Sequence, residues 1–327
     1  MTTGLVLGKF APLHRGHQFL IETALSENEK VVAIIYNATD VTSISLDTRA
    51  NWIRQLYPTI EVLEAWDGPT VVGDTPEIKR LHEEYIRKIL DGRKIDAFYS
   101  SEFYGEHVSQ SLQALDRRLD ESRDRFPISG TLLRAEPYRY RQFVDPLVYR
   151  DLITKVVFLG APSTGKTTLA RELAHRRQTV WMPEYGREYW ETHQENRRLS
   201  LDQLVEIAEG HLQREDQLFQ EANREIFIDT DASTTYLFSH YYHGEAKKRL
   251  TEMAANAATR YDLFFLCETD IPYDDTWDRS GEANRDQFQT AIVNNLIDRQ
   301  VPFIRLAGRL DDRIQIVESV LNQRRHP

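Results

Sequence analysis

Residues 8–17, Gly-Lys-Phe-Ala-Pro-Leu-His-Arg-Gly-His, constrain what this chain can fold into more than any other segment. The apolar run 5–7 precedes them, and a stretch with apolar residues at helical spacing begins near His14. A strand, a glycine loop and a helix start in this order place backbone N–H groups and the positive helix end around one point, which favours phosphate. His14 and His17 are three residues apart, so they share one face of the helix. The segment therefore predicts a polyphosphate site beyond the carboxyl end of a strand.

Short apolar runs alternate with amphipathic segments in both halves of the chain. The predicted strands are 30–36, 61–63, 95–99, 155–160, 179–182, 226–231, 260–267 and 301–306. The predicted helices are 47–57, 77–90, 168–176, 286–299 and 310–322. This alternation predicts the α/β class with doubly wound parallel sheets, in which ligands lie beyond the carboxyl ends of the strands. Trp52 is expected in the core, and the mixed-charge run 116–125 is interpreted as a solvated helix end and loop.

Length and composition narrow the class of protein. A chain of 327 residues suggests two domains, and we place the boundary at about residues 150–152. The net charge of −10 does not favour a nucleic-acid-binding surface. The single cysteine, Cys267, excludes a disulfide framework within one chain and fits the reducing cytoplasm. The apolar runs are too short to span a membrane, and no signal peptide is predicted.

A second segment, Ile-Ser-Gly-Thr-Leu-Leu-Arg at 128–134, has the pattern of a capped helix start. Ser129 or Thr131 can cap the helix while offering a hydroxyl group to phosphate. Arg134 lies one turn further on and could bind phosphate oxygens through two parallel hydrogen bonds. The segment is therefore a candidate partner of residues 8–17.

The second half contains a P-loop pattern. Residues 160–167 read Gly-Ala-Pro-Ser-Thr-Gly-Lys-Thr, with a predicted strand before them and a predicted helix after them. The phosphate-binding candidates are Gly160, Ser163, Thr164, Gly165, Lys166, Thr167 and Thr168. The backbone would surround the β- and γ-phosphates of ATP, Lys166 would bridge them, and the Thr167 hydroxyl would bind Mg²⁺.

Three acidic residues follow β-like runs that should end at the edge of the P-loop sheet. Asp229 fits the acid that orders Mg²⁺, while Glu184 and Asp231 could hold the acceptor's sugar hydroxyls or help to deprotonate the attacking hydroxyl. The polar segment 274–285 suits a lid that brings Arg279 and Arg285 to the transferred phosphate, although a surface loop explains either arginine equally well.

Together these motifs carry a resemblance to a known family. Residues 8–17 and 128–134 resemble the nucleotidyltransferases with an H-x-G-H signature, in which I-S-S-T-x-x-R is the usual second motif and Gly130 is a departure. With the P-loop, E-Y-G-R-E at 184–188 and F-I-D-T-D at 227–231, nearly the whole chain resembles the bifunctional NadR family. Some relatives begin with a helix-turn-helix module, which we expect to be absent here.

The resemblance implies a Rossmann-like adenylyltransferase domain at 1–150 and a P-loop ribosylnicotinamide kinase domain at 151–327. The second would phosphorylate ribosylnicotinamide with ATP and Mg²⁺, and the first would convert the mononucleotide and ATP to NAD and pyrophosphate in the cytoplasm. It also implies functional residues by position. In the first half these are Gly8, Lys9, Phe10, His14, Gly16, His17, Ser129, Thr131 and Arg134. In the second half Tyr185 and Arg187 join Glu184 and Asp231 as acceptor contacts.

Alternatives remain open at this stage. Relatives place a tryptophan ahead of the helix that begins here near Glu77, but residues 67–80 contain no aromatic residue. The nicotinamide platform could instead be Trp66, Phe103 or Tyr104. The first domain could be a nucleotide sensor beside an active kinase, or the chain could be a non-enzymatic NTP-dependent switch. The sequence also leaves open whether the chain forms a homo-oligomer.

Overall fold

A computed structural model describes residues 1–101, 105–195, 198–273 and 284–324 of the chain. The chain divides into two compact units, Met1–Tyr149 and Arg150–Pro327. In the described ranges, no helix is both long enough and apolar enough to cross a membrane.

The described part of the first unit is built on a five-stranded parallel sheet in the order β3-β2-β1-β4-β5. Its strands are Thr3–Gly8 (β1), Lys30–Tyr36 (β2), Glu61–Ala65 (β3), Ala97–Ser100 (β4) and Leu115–Arg118 (β5). Its helices are Arg15–Glu27 (α1), Leu46–Leu56 (α2), Pro76–Leu90 (α3), Gly105–Leu112 (α4), Gly130–Ala135 (α5) and Pro146–Leu152 (α6), with a 3-10 turn at Arg141–Phe143. The division between the units falls within α6.

Sheet burial explains why the central strands are apolar throughout. Helices cover both faces of a doubly wound sheet, so β2 buries every residue after Lys30. Its neighbour β1 pairs in register, with Leu5 opposite Val32 and Gly8 opposite Ile35. The segment that follows Gly8 therefore leaves from the carboxyl edge of the sheet. Trp52 of α2 is buried, as expected.

The interpretation of residues 116–125 as a helix end and loop was wrong in its first part. Leu115–Arg118 pairs with β4 as the edge strand β5. An edge strand has only one paired side, so it tolerates charged residues that a central strand would not. Asp116 and Arg118 pair with each other, with Arg118 Nε 2.9 Å from Asp116 Oδ2.

The described part of the second unit has a five-stranded parallel sheet in the order β10-β9-β6-β8-β7. Its strands are Thr154–Leu159 (β6), Trp181–Met182 (β7), Glu225–Asp229 (β8), Leu263–Cys267 (β9) and Ile304–Leu306 (β10). Its helices are Lys166–Arg177 (α7), Tyr185–His193 (α8), Leu201–Leu218 (α9), Ala232–His243 (α10), Lys248–Arg260 (α11), Arg285–Asp298 (α12) and Leu310–Arg324 (α13). The sequence-based assignment had included Asp231 in a strand, but the strand ends at Asp229 and Asp231 caps α10.

The predicted fold class, α/β with two doubly wound parallel sheets, is confirmed. In each unit the strand that precedes the glycine loop, β1 or β6, lies at the centre of its sheet. Each loop then leads directly into a helix, α1 or α7. Both phosphate-binding candidates therefore lie where the positive ends of helices meet the carboxyl edge of a sheet.

Candidate active sites

The first unit contains a cavity of about 630 Å³ beyond the carboxyl end of β1. All nine residues that the motifs predict in this half line it: Gly8, Lys9, Phe10, His14, Gly16, His17, Ser129, Thr131 and Arg134. Segments 120 residues apart in sequence thus contribute to one space, because β1 and the start of α5 both meet the same edge of the sheet.

The two histidines form a stacked pair at the start of α1. Their ring centroids lie 3.7 Å apart, and the rings are inclined by 22°. The backbone N–H of His14, the N-cap residue, donates to Nδ1 of His17 over 3.4 Å. With Nδ1 as acceptor, the neutral His17 ring carries its proton on Nε2 and can act as a donor there. The pair therefore presents neutral imidazoles at a positive helix end.

Burial lowers the pKa of both rings. Burial first, and then the positive charge of Arg123, together lower the pKa of His14 to about 4. The pKa of His17 is also lowered, chiefly by burial and then by His14 and Arg123. Arg123 lines the cavity as well. The sequence predicts a solvated loop here, and Arg123 is indeed exposed on a loop, from which its charge acts on the histidine pair.

The low pKa of His14 makes the stability of the first unit pH-dependent. The ring has an ordinary pKa of 6.5 when exposed and about 4 when folded, so between these values the unfolded chain binds a proton that the folded chain does not. We expect the free energy of unfolding to fall by about 3 kcal/mol from pH 6.5 to pH 4 through this group. Denaturant titrations at several pH values measure the effect, and His14→Phe should remove this part of it. An NMR titration of the folded protein with a His14 midpoint near 6.5 would contradict the prediction.

Basic and hydroxyl groups complete this cavity. Ser129 caps α5 by accepting from the N–H of Leu132, as predicted. Arg134 donates to the carbonyl of Ala11 and, over 3.3 Å, to Thr131 Oγ1. It therefore joins the loop after β1 to the start of α5. Lys9 Nζ lies 3.1 Å from Asp40 Oδ2.

Gly130, the departure from the usual motif, is explained by crowding. A Cβ atom at this position would lie 2.9 Å from the Ala11 carbonyl oxygen and 3.0 Å from Arg134 Nη1. In this chain, a side chain at position 130 would therefore disturb the contact between Arg134 and Ala11.

Of the three residues that the sequence suggests as an aromatic platform, only Trp66 belongs to the described part of the chain. Trp66 is half exposed, donates to Glu64 over 3.0 Å and does not line the cavity. Phe103 and Tyr104 lie outside the described residues. Tyr36 and His82 do line the cavity, with their ring centroids 5.9 Å apart. Tyr36 ends a buried strand at the carboxyl edge, which is the signal that could have identified it from sequence.

The second unit contains a cavity of about 670 Å³ at the P-loop. Ten predicted residues line it: Gly160, Ser163, Thr164, Gly165, Lys166, Thr167, Thr168, Glu184, Arg187 and Asp231. Gly160 adopts φ of 145° and Gly165 φ of 83°, values that favour glycine. At Gly160 a Cβ atom would also lie 2.6 Å from the carbonyl oxygen of Cys267. The two glycines are therefore required by the loop's shape.

The reactive groups of the P-loop contact one another inside the loop. Lys166 is buried, and its Nζ donates to the carbonyl oxygens of Gly160 at 2.9 Å and Ala161 at 3.1 Å. The Thr167 hydroxyl donates to Oδ2 of Asp229. Asp229 is placed there because it ends β8 directly beside the P-loop strand, with Phe158 as its register partner.

Two buried arginines hold the P-loop through its carbonyl groups. Arg285, the first residue of α12, donates to Ser163 O at 2.8 Å and to Ile271 O at 2.9 Å. Arg313 of α13 donates to Thr164 O at 2.6 Å. The prediction that Arg285 belongs to a lid above the phosphate was wrong, because this side chain is committed to the loop backbone. Arg279 and the rest of 274–283 lie outside the described residues.

The three predicted acids differ in environment. Burial raises the pKa of Asp229 to about 6, although the neighbouring charge of Lys166 opposes this shift. Burial also raises the pKa of Asp231, whose Oδ1 accepts from Ser233 N and Thr234 N. Glu184 is partly exposed and lies 3.8 Å from Arg187. The site thus combines two buried carboxyl groups with one solvated carboxylate.

Tyr185 does not face this cavity, so its prediction as an acceptor contact was wrong. Its ring packs against Gly210 of α9, and the Arg214 guanidinium lies over it at 4.1 Å. The next turn of α8 supplies Trp190 instead, and Phe238 and Phe288 add further aromatic wall. Helical spacing alone would not have revealed these residues, because their contact is tertiary.

The fold and the two cavities define the class of protein. It combines a nucleotidyltransferase-like unit with a P-loop unit. A family model described as cytidylyltransferase-like matches residues 5–136, and one described as an AAA domain matches residues 155–313. Both models cover the segments that line the two cavities.

The similarity to individual proteins then extends over nearly the whole chain. The chain is 28% identical to the "Trifunctional NAD biosynthesis/regulator protein NadR" of Escherichia coli (strain K12), over 99% of this chain and 84% of that protein. It is also 28% identical to the NadR of Salmonella typhimurium, over 98% of this chain and 83% of that protein. A crystal structure of a NadR protein in complex with NAD and AMP-PNP shares the fold, with a TM-score of 0.58, 21% identity and coverage of 98% and 95%. Over nearly its whole length the chain is therefore similar to NadR proteins.

Proposed function

We propose that this chain is a bifunctional enzyme of NAD biosynthesis, with an adenylyltransferase domain at 1–150 and a ribosylnicotinamide kinase domain at 151–327. The observation that carries the proposal is that each unit has its own polyphosphate cavity at the start of a helix. The curated relatives are named as NAD biosynthesis proteins, and one related structure is of NadR in complex with NR.

In the kinase reaction, the 5′-hydroxyl of ribosylnicotinamide attacks the γ-phosphorus of ATP, ADP leaves, and the mononucleotide forms. Lys166 bridges the phosphates and the P-loop N–H groups hold them. Glu184, the partly solvated carboxylate, is suited to accept the hydroxyl proton. The buried Asp231 is suited to hold a sugar hydroxyl, because its Oδ2 is buried and has no hydrogen-bond partner among the described residues.

The residues at Thr167 fit a bound Mg²⁺. Oδ1 of Asp229 is buried and, within the part of the chain that the structure describes, it has no hydrogen-bond partner. A carboxylate oxygen left in this state beside the Thr167 hydroxyl is a suitable donor set for a hard cation. When bound by Thr167 and Asp229, Mg²⁺ would neutralise charge on the phosphates.

In the adenylyl transfer, a phosphate oxygen of the mononucleotide attacks the α-phosphorus of ATP. A new P–O bond forms, pyrophosphate leaves, and NAD is the product. The nucleophile is already an anion, so position and charge stabilisation suffice. His14, His17, Lys9 and Arg134 supply donors for the phosphates, while Ser129 and Thr131 supply hydroxyl groups. The cytoplasm is the proposed location, in keeping with the buried free thiol of Cys267.

Incubation of the protein with ATP, Mg²⁺ and ribosylnicotinamide should give NAD through the mononucleotide. Chromatography over time measures both products, and pyrophosphate release measures the second step. Absence of any phosphorylation would overturn the proposal. If the mononucleotide supplied directly released no pyrophosphate, the alternative of a kinase with a nucleotide-sensing first domain would replace it.

A further inference from the structure

Helix α9 places a histidine in the wall of the kinase cavity. Leu204, Ile207 and His211 follow one another at helical spacing, and all three line the cavity. His211 is 95% buried, since only 5% of its surface is exposed. It belongs to no motif of the sequence analysis, and the reaction described above does not use it. A buried imidazole at the surface of a ligand cavity requires a partner that fixes its orientation.

That partner is Glu215, one turn further along α9. Nε2 of His211 lies 3.0 Å from Oε1 of Glu215, which is fully buried. Arg260 Nε donates to Oε2 over 2.6 Å, and the Tyr261 hydroxyl donates to Oε1 over 2.7 Å. Burial raises the pKa of Glu215, but the contact with His211 and the charge of Arg260 outweigh it, so the pKa lies below its ordinary value. Glu215 is therefore an anion at neutral pH. Nε2 of His211 lies within ion-pair distance of it but makes no hydrogen bond among the described residues, so the carboxylate acts on the ring through its charge.

A neutral His211 ring with its proton on Nε2, the tautomer that a neighbouring carboxylate favours, offers Nδ1 as a hydrogen-bond acceptor. Two further residues that line the same cavity, Asp231 and Thr234, each carry a polar atom of interest, Oδ2 and Oγ1 respectively. Both are buried, and neither has a hydrogen-bond partner within the described ranges. Leaving such atoms unpaired is costly, so a ligand that supplies donor groups would satisfy them. An anionic group there would instead meet Asp231 and Glu215.

We propose that His211 binds a hydrogen-bond donor of the acceptor nucleoside, a hydroxyl or an amide N–H, and that Glu215 is the positioning residue that orients it. The inference rests on the proposed kinase function of the second unit and adds to it a residue that determines acceptor specificity. It assigns no role in phosphate binding to His211, because the P-loop supplies those contacts from a different element.

The test separates nucleoside binding from ATP binding. His211→Leu should raise the KM for ribosylnicotinamide about tenfold or more, the usual effect of leaving buried polar groups unpaired, and should change the KM for ATP less than twofold. His211→Gln keeps a side chain that can accept a hydrogen bond and should recover part of the loss. His175→Leu removes an exposed histidine from the last turn of α7 and should leave both constants unchanged.

Double variants test the positioning role. Glu215→Gln should raise the KM for the nucleoside in the same direction. Combining it with His211→Leu should raise that KM little further, because Glu215 acts on the nucleoside only through the His211 ring. If Glu215 had a purely structural role, the effects of Glu215→Gln and His211→Leu would add in the double variant, and the KM for ATP would also rise. Two substrate analogues, one without the 2′-hydroxyl and one without the carboxamide, identify the group that His211 binds. The analogue that lacks this group should have the same KM with the wild type and with His211→Leu.

The possible failures are distinguishable. A wild-type protein that does not phosphorylate ribosylnicotinamide would overturn the kinase function itself. If the wild type is an active kinase but His211→Leu leaves the nucleoside KM unchanged, only the role of His211 is overturned. The same holds if His211→Leu raises the KM for the nucleoside and the KM for ATP equally. Calorimetry without ATP measures the affinity of the wild type and of His211→Leu for ribosylnicotinamide, and so compares nucleoside binding independently of turnover.

Discussion

Lys166→Ala should reduce the phosphorylation of ribosylnicotinamide by about 10²- to 10³-fold while leaving adenylyl transfer unchanged. Lys166 Nζ is already inside the P-loop, on the carbonyl oxygens of Gly160 and Ala161. Its removal takes away a buried positive charge where the transition state carries spread negative charge, an effect of several kcal/mol in such sites. Initial rates with ribosylnicotinamide and, separately, with the mononucleotide measure the two activities in one preparation.

Lys248→Ala is the matched control for this change. Lys248 belongs to the same unit, but its side chain is 92% exposed and lies 3.8 Å from Glu252 on the surface of α11. Because exposed ion pairs contribute little, neither activity should change by more than twofold. A Lys166→Ala protein that keeps its fold and retains phosphorylation within tenfold of the wild type would show that the loop does not hold the transferred phosphate.

His17→Ala should have the reciprocal effect. We expect adenylyl transfer from ATP to the mononucleotide to fall about 10²- to 10³-fold, with the kinase rate unchanged. The His17 ring lines the first cavity, and its Nδ1 accepts from the backbone of His14. Loss of a fixed donor that faces developing phosphate charge has effects of this size. Pyrophosphate release with the mononucleotide as substrate is the measurement.

The kinase rate of the same His17→Ala preparation is its internal control, because His17 belongs to the other compact unit. His17→Gln, which keeps a polar side chain of similar reach, should retain more activity than the alanine variant. Equal loss of both activities would indicate a general folding defect, and unchanged pyrophosphate release would remove His17 from the proposed site.

The sequence predicted those parts of the fold whose conformation depends on residues close together in the chain. The strand at 30–36 was predicted with the observed bounds of β2, because burial on both faces requires a continuous apolar run. The P-loop and the segment at 8–17 were found because their spacing encodes a backbone conformation. The cytidylyltransferase-like and AAA matches, with the similarity to two NadR proteins, agree with the resemblance that these motifs indicated.

The misses share one physical reason: their signals depend on tertiary contacts. Leu115–Arg118 carries charges that resemble a loop, and only its pairing with β4 shows it to be a strand. Tyr185 sits in a motif but turns toward Gly210, which could not be known before α9 was placed. His211 and Glu215 have the i, i+4 spacing of a helix pair, yet this spacing is common on exposed helices and indicates nothing until both residues are seen to be buried.

The arginines behind the P-loop have a consequence for nucleotide affinity. Since Arg285 and Arg313 bind the carbonyl groups of Ser163 and Thr164, the conformational entropy lost in ordering the loop is lost when the chain folds. ATP then meets a pre-organised loop, and little of its binding free energy is spent on rearrangement. Tight nucleotide binding by this unit would then originate partly in two side chains that do not line the cavity.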